Sequence, residues 1–164
     1  MDKKIHYVAA TVIIVKDNKF LILKISEKEK AYPGKWTVPG GKLERDDYES
    51  KPFTKEGDKN WYCVMEDLIK REVREETNLE VKDIKYLIDL TFIRPDDIPV
   101  LILSYYCNYA SGEIKINEEA VDFKWVTLEE AKNFELIDGI YEELEMVDDI
   151  LNGKELNKSE KFKN

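Results

Sequence analysis

Between Leu68 and Leu79 the chain reads Leu-Ile-Lys-Arg-Glu-Val-Arg-Glu-Glu-Thr-Asn-Leu, with Glu72, Glu75 and Glu76 at helical spacings of three and four. At ~100° per residue, Glu72 and Glu76 project from the same face as Met65, Leu68, Ile69 and Val73. The acids therefore interrupt the apolar stripe that a helix turns towards a core. Burying an unpaired carboxylate is costly, and like charges in one site raise each other's pKa, so the cluster needs a cation. A hard divalent ion fits: magnesium takes oxygen ligands, usually a few carboxylates with phosphate and water. The plain alternative is a solvated face on which Lys70, Arg71 and Arg74 make ordinary ion pairs. The apolar residues that share the acids' face argue against it.

Upstream lies Gly34-Lys35-Trp36-Thr37-Val38-Pro39-Gly40-Gly41-Lys42-Leu43-Glu44. Paired glycines after a short β-like run let the backbone turn sharply and approach a ligand closely. Together with Arg71-Glu72-Val73-Arg74-Glu75-Glu76-Thr77-Asn78-Leu79, this segment resembles the Nudix hydrolase signature, Gly-x5-Glu-x7-Arg-Glu-U-x-Glu-Glu-x-Gly-U, where U is a bulky aliphatic. The second half matches at every specified position except Asn78, where the family has glycine. Asparagine is the next most tolerant residue for the left-handed conformation that closes a helix. The first half departs further. Counting back from Arg71, the family's first glutamate falls on Cys63, and the interval from Gly41 to Cys63 is about sixteen residues longer than the signature allows. Residues 45–60, rich in charge and containing Pro52 and Gly57, read as an insertion. A surface loop that leaves the glycine turn and returns at the acidic helix is placed to border the active site. Glu66 and Glu44 are the candidates to replace the missing glutamate.

The resemblance implies an α/β (α+β) fold, a mixed β-sheet sandwiched between helices, and hydrolysis of a diphosphate linkage in a nucleoside diphosphate derivative. The small size favours a free nucleotide such as a nucleoside triphosphate. Carried over position by position, Glu72, Glu75 and Glu76 become magnesium ligands, with Gly40 adding its backbone carbonyl and manganese as an alternative ion. Arg71 would hold Glu72 by a bidentate pair, which lysine does less well. Glu75 is one candidate general base. Some family members take the base from a loop shortly before a late tryptophan, which here offers Glu118 and Glu119 ahead of Trp125, with Glu119 preferred. For the substrate, bases stack on aromatic rings, which nominates Trp36, Phe92 and Tyr7, while Lys42 and Arg94 are candidates for phosphate. Each aromatic is equally readable as core. The competing class is a Nudix-like module that binds a nucleotide or metabolite without cleaving it.

The rest of the chain suits that fold. Residues 5–15 and 20–25 are apolar or β-branched runs around Asp17-Asn18, a hairpin pattern. Residues 81–93 and 100–109 form a second pair around Pro95 to Pro99, and 121–126 another strand. Thr127-Leu128-Glu129-Glu130 has the form of a capping box, and 139–151 is an amphipathic helix. The expectation is one domain over residues 1–152 with a polar, frayed tail over 153–164. A net charge of −9 argues against bulk nucleic-acid binding and against a basic membrane patch. No long apolar run or leader pattern is present, which points to a cytoplasmic protein whose partner is a small nucleotide; a homodimer is compatible with all of this. Cys63 and Cys107 give no disulfide framework. His6, the only histidine, reads as a strand residue, so a triad mechanism has no base.

Overall fold

The computed structural model describes residues 4–162. Asp17 and Asn18 take φ values of 49° and 58°, the left-handed pair that lets a two-residue turn follow the twist of its strands. They join β1 (Tyr7–Lys16) to β2 (Lys19–Ile25). The second hairpin, β5 (Glu80–Ile93) with β6 (Pro99–Ser111), turns through Asp97 at φ 62°. Two short strands, β3 (Trp36–Thr37) and β4 (Gly40–Lys42), and the later β7 (Ala120–Val126) complete a seven-stranded sheet. Its order is β3-β2-β1-β6-β5, with β4 on β1 and β7 on β2. Among the described strand pairs β1 and β6 run parallel and the others antiparallel, so the sheet is mixed.

Side chains alternate faces along a strand, and β1 is apolar on both. Ile13 and Val15 join Phe20, Ile22, Leu144, Met146 and Val147 in one core, whereas Val12 and Ile14 join Leu21, Leu68, Ile69 and Val73 in another. The first core lies under α2 (Leu128–Ala131) and α3 (Ile140–Leu151), the second under α1 (Val64–Thr77). The result is the expected sandwich of a mixed sheet between helices, with each buried aliphatic side chain contributing ~1.5–3 kcal/mol. Asn78 closes α1 at φ 60°, its N–H donating to the Arg74 carbonyl. The Thr127 capping box is formed in both directions. Beyond residue 152, Leu156 packs on the first core and α4 (Lys158–Lys161) sets Lys161 between Glu145, 2.7 Å, and Asp149, 2.9 Å. Residues 163 and 164 of the expected frayed tail lie outside the described residues. No helix among those described is long and apolar enough to cross a membrane.

On the edge of β1 opposite β6, two partners share the strand: β4 pairs with Ala9 to Thr11, and β2 with Val15 and Lys16. Between them Val12 N–H reaches only as far as the Pro39 carbonyl, 2.9 Å away. The sheet divides there, and a cleft opens at the division.

Candidate active site

The inward face of α1 buries Leu68, Ile69, Val73 and Thr77. Glu72 and Glu76 sit at its shoulder, against the glycine turn. Gly40 N–H donates to Glu76 Oε2 at 3.0 Å. A Cβ on Gly41 would collide with the Glu72 carboxylate, and one on Gly40 with the Ala10 carbonyl and Thr11. The turn therefore needs glycine at position 40 to seat against β1, while a side chain at position 41 would push the Glu72 carboxylate from its place.

Each nitrogen of Arg71 lies within ion-pair distance of a different carboxylate, and Nη1 donates a hydrogen bond to Glu75. Nε lies 2.8 Å from Asp47 Oδ1, Nη2 2.9 Å from Glu72 Oε1, and Nη1 3.0 Å from Glu75 Oε2. Asp47 is the most enclosed of the three, its side chain 9% exposed against 14% for Glu72 and 55% for Glu75. Burial works against the Arg71 charge, but Glu72, Asp47 and Glu75 outweigh it and hold its pKa above the usual value.

Burial, with Glu75 and Glu119 adding to it, raises the pKa of Glu72 against the opposing pull of Arg71. Glu76 is pushed up to about 8 by burial, with Glu72, Glu119 and Glu75 adding to the rise and the Gly40 N–H opposing it. One guanidinium therefore does not neutralise the site. Its donors are all oxygen, the type a hard divalent cation takes, so the residues present fit such an ion. Among the described residues no three carboxylate, histidine or cysteine groups already converge as a ligand set. Glu72 and Glu75 are turned onto Arg71, and Glu76 onto the glycine turn.

Glu76 and Glu119 both face the cleft, a cavity of about 230 Å³ whose walls include Thr11, Leu23, Thr37 and Asn117. Glu119 is fixed through its backbone: its N–H donates to Asn117 Oδ1 at 3.1 Å and its carbonyl accepts from Ser26 N–H at 2.8 Å. Glu118 is exposed and is not part of the wall.

The five residues nominated for substrate, Trp36, Phe92, Tyr7, Lys42 and Arg94, lie elsewhere. Trp36 is buried edge-on against Phe134, with ring centroids 4.8 Å apart. Phe92 is near the end of edge strand β5, and Arg94 pairs with Asp96 at 2.7 Å and lies over the Tyr7 ring. Lys42 is exposed on β4, next to Gly41. None of them lines the cleft. Aromatic residues look alike in sequence whether they serve a core or a ligand.

Neither Glu66 nor Glu44 meets Arg71. Glu66 pairs with Lys70 at 2.7 Å, and Glu44 N–H is capped by Asp47 Oδ2 at 2.8 Å. The residue that does meet it, Asp47, stands six positions after Gly41, the spacing of Gly-x5-Glu. Counting forwards from the glycine finds it, whereas counting back from Arg71 does not. The following loop packs on itself: Tyr48, Phe53 and Trp61 cluster with centroids 4.7 and 5.3 Å apart, Trp61 Nε1–H donates to the Lys51 carbonyl, and Lys51 reaches Asp67 on α1 at 3.2 Å. The loop adjoins the site through Asp47 and contributes nothing to the cleft wall.

The NUDIX domain family matches residues 5–146 of this chain. The chain is 27% identical over 134 residues to the nucleoside triphosphatase NudI of Escherichia coli (strain K12), an alignment covering 76% of this chain and 84% of that protein. In fold it is similar to the MutT NUDIX hydrolase from Burkholderia pseudomallei, with a TM-score of 0.68 and 22% identity, covering 88% of this chain and 99% of that one. It is also similar to the NUDIX domain of Shewanella oneidensis NrtR complexed with ADP ribose, with a TM-score of 0.67 and 18% identity, covering 90% of each chain.

Proposed function

Because this chain belongs to the NUDIX family and is a pyrophosphohydrolase of that kind, we propose that it cleaves the diphosphate linkage of a small nucleotide, a nucleoside triphosphate first among them, with magnesium or manganese as its ion. The observation that carries this reading is the set of Arg71, Glu72, Glu75 and Glu76, seated on the Gly40-Gly41 turn beside a cleft that Glu76 and Glu119 share. The choice of substrate draws on the 27% identity to a nucleoside triphosphatase.

Glu72, Glu75 and Glu76, with the Gly40 carbonyl, would hold the ion. When bound, it supplies charge neutralisation for the diphosphate and lowers the pKa of the attacking water. Arg71 keeps Glu72 and Glu75 in place, and Asp47, at the spacing from Gly41 that the signature gives its first glutamate, keeps Arg71 in place. On this reading the additional residues of the chain enter after Asp47. Glu119 takes the proton from the attacking water as general base. The net charge of −9 disfavours a polyanionic nucleic acid and suits a small cytoplasmic substrate delivered with its own cation.

The test is release of phosphate or pyrophosphate from a panel of nucleoside triphosphates, nucleotide sugars and dinucleotides, with magnesium and with chelator, using Glu76→Gln as the blank. Magnesium-dependent release that is lost in the variant supports the reading. Binding across the panel without turnover would instead make this a nucleotide-binding module.

A further inference from the structure

A line of hydrogen bonds runs from the cleft wall into the core. Thr11 Oγ1 lies 3.0 Å from Ser104 Oγ, and the Ser104 hydroxyl donates to Glu143 Oε1 at 3.1 Å. Thr11 lines the cleft opposite Gly40, its pairing partner on β4. Ser104, directly across on β6, is 1% exposed, and Glu143, on the inner face of α3, is 2% exposed. Glu143 Oε2 has no partner among the described residues. A buried carboxyl group without a cation costs stability that an apolar side chain of the same size would not.

The order of donors follows from the far end. Ser104 Oγ–H donates to Glu143 Oε1 and the carboxyl's own proton, when it carries one, sits on the unpartnered Oε2, so the Ser104 proton is committed inward. Ser104 Oγ is then left as the acceptor, and the Thr11 proton is committed to it. With its single hydrogen spent, Thr11 can offer the cleft only lone pairs. We infer that Glu143 and Ser104 are positioning residues that fix Thr11 as a hydrogen-bond acceptor, and that Thr11 thereby binds a donor on the nucleoside part of the substrate. This rests on the nucleotide reading above.

The remaining polar groups of the wall agree. Glu29, Glu76 and Glu119 bring carboxyl groups, and among the described residues no lysine, arginine or histidine lines the cleft. The Thr37 hydroxyl is directed at the Val38 carbonyl, 3.3 Å away. Asn117 is the exception: its oxygen accepts from Glu119 N–H, which leaves its amide N–H groups as donors. Ionised phosphate oxygens carry no donor, so an acceptor at Thr11 rejects them, whereas sugar hydroxyls and base N–H groups satisfy it.

The test is the Kd of non-hydrolysable α,β-methylene nucleotides, alongside KM and kcat for any that the enzyme turns over. Ribose and deoxyribose forms of each base are compared. Thr11→Val, close in shape, is expected to weaken binding roughly five- to tenfold and to raise KM far more than it lowers kcat, with Thr11→Ser restoring affinity. Ser104→Ala combined with Glu143→Leu, which removes both inner polar groups, is expected to weaken binding by about two- to threefold, less than Thr11→Val, because Thr11 Oγ1 keeps its lone pairs but is no longer fixed as the acceptor. A loss that tracks the sugar assigns the donor to a ribose hydroxyl, and one that tracks the base assigns it to a base N–H. Either supports the inference. Wild-type affinity in the folded Ser104→Ala/Glu143→Leu variant overturns the relay while leaving the nucleotide reading intact. Failure of the wild type to bind any nucleotide overturns both.

Discussion

Asp47 Oδ1 lies 2.8 Å from Arg71 Nε, and the two residues are held together although the intervening chain is long enough to make a loop of its own. Arg71 in turn reaches Glu72 and Glu75, so a residue outside the acidic helix sets the angle of two carboxylates on it.

Asp47→Asn should therefore act on the site as well as on the fold. Losing one charge partner of a partly exposed arginine is expected to cost about 1–2 kcal/mol in urea unfolding and to lower kcat about tenfold or more. Asp47→Glu should keep more of both than the asparagine variant does.

Glu76→Gln should separate stability from activity. The substitution removes a buried carboxylate raised to about 8 by burial, so the metal-free protein is expected to melt at a higher temperature than wild type. The same variant should lose the upward melting shift that magnesium gives the wild type, and its turnover should fall by orders of magnitude. A variant that keeps both the magnesium shift and its turnover would remove Glu76 from the site.

In chelator, stability should fall as pH rises. Glu76 and Glu143 titrate near 8 and 7 in the folded protein, raised by burial from an ordinary 4.5. The folded state therefore holds their protons more tightly than the unfolded chain does. Their stabilising contribution is complete below about pH 4.5 and is lost as pH climbs through the folded values. Urea midpoints from about pH 5 to about pH 8.5 should decline, with a shallower decline in Glu76→Gln and in Glu143→Leu. Glu130, Glu135 and Asp149, whose pKa values are lowered, titrate below this window and do not mask it.

Glu119→Gln should reduce kcat and leave the magnesium-dependent melting shift in place, the pattern of a base that does not ligate. Loss of the shift would make Glu119 a ligand instead.

Trp61→Ala should release the loop without unfolding the domain. Its ring packs on Tyr48 and Phe53, and its N–H holds the Lys51 carbonyl. Faster proteolytic nicking between residues 48 and 62 is expected, with a loss in kcat no greater than that of Asp47→Asn.

What the sequence made legible was local. The Asp17-Asn18 hairpin, the Thr127 capping box and the helix closed at Asn78 each depend on a few adjacent residues whose conformational preferences are strong. The acids on the apolar face of α1 were visible for the same reason, since helical periodicity is a short-range property. Asp47 was hidden because its partner is distant and the residues between obscure the count. Thr11, Asn117 and the division of β1 between β2 and β4 depend on strand pairing, which no single segment encodes. Trp36 was nominated for stacking because nearness to the glycines in sequence is not nearness to the cleft in space: β3 carries it into the core beside Phe134. Glu143, one of several acids in an amphipathic helix, had nothing local to mark it as the inward one.

The tip of the loop begins and ends at one point. Thr54 N–H donates to the Asn60 carbonyl at 3.2 Å, and Thr54 Oγ1 accepts from Tyr62 N–H at 2.9 Å. Residues 55–57, between these ties, are exposed, and Gly57 has open space around it. Because loop closure depends only weakly on length, a peptide or fluorophore grafted there would leave Asp47 and α1 where they are. The protein thus carries a permissive attachment point one ion pair away from its acids, suited to an environment-sensitive reporter of substrate binding.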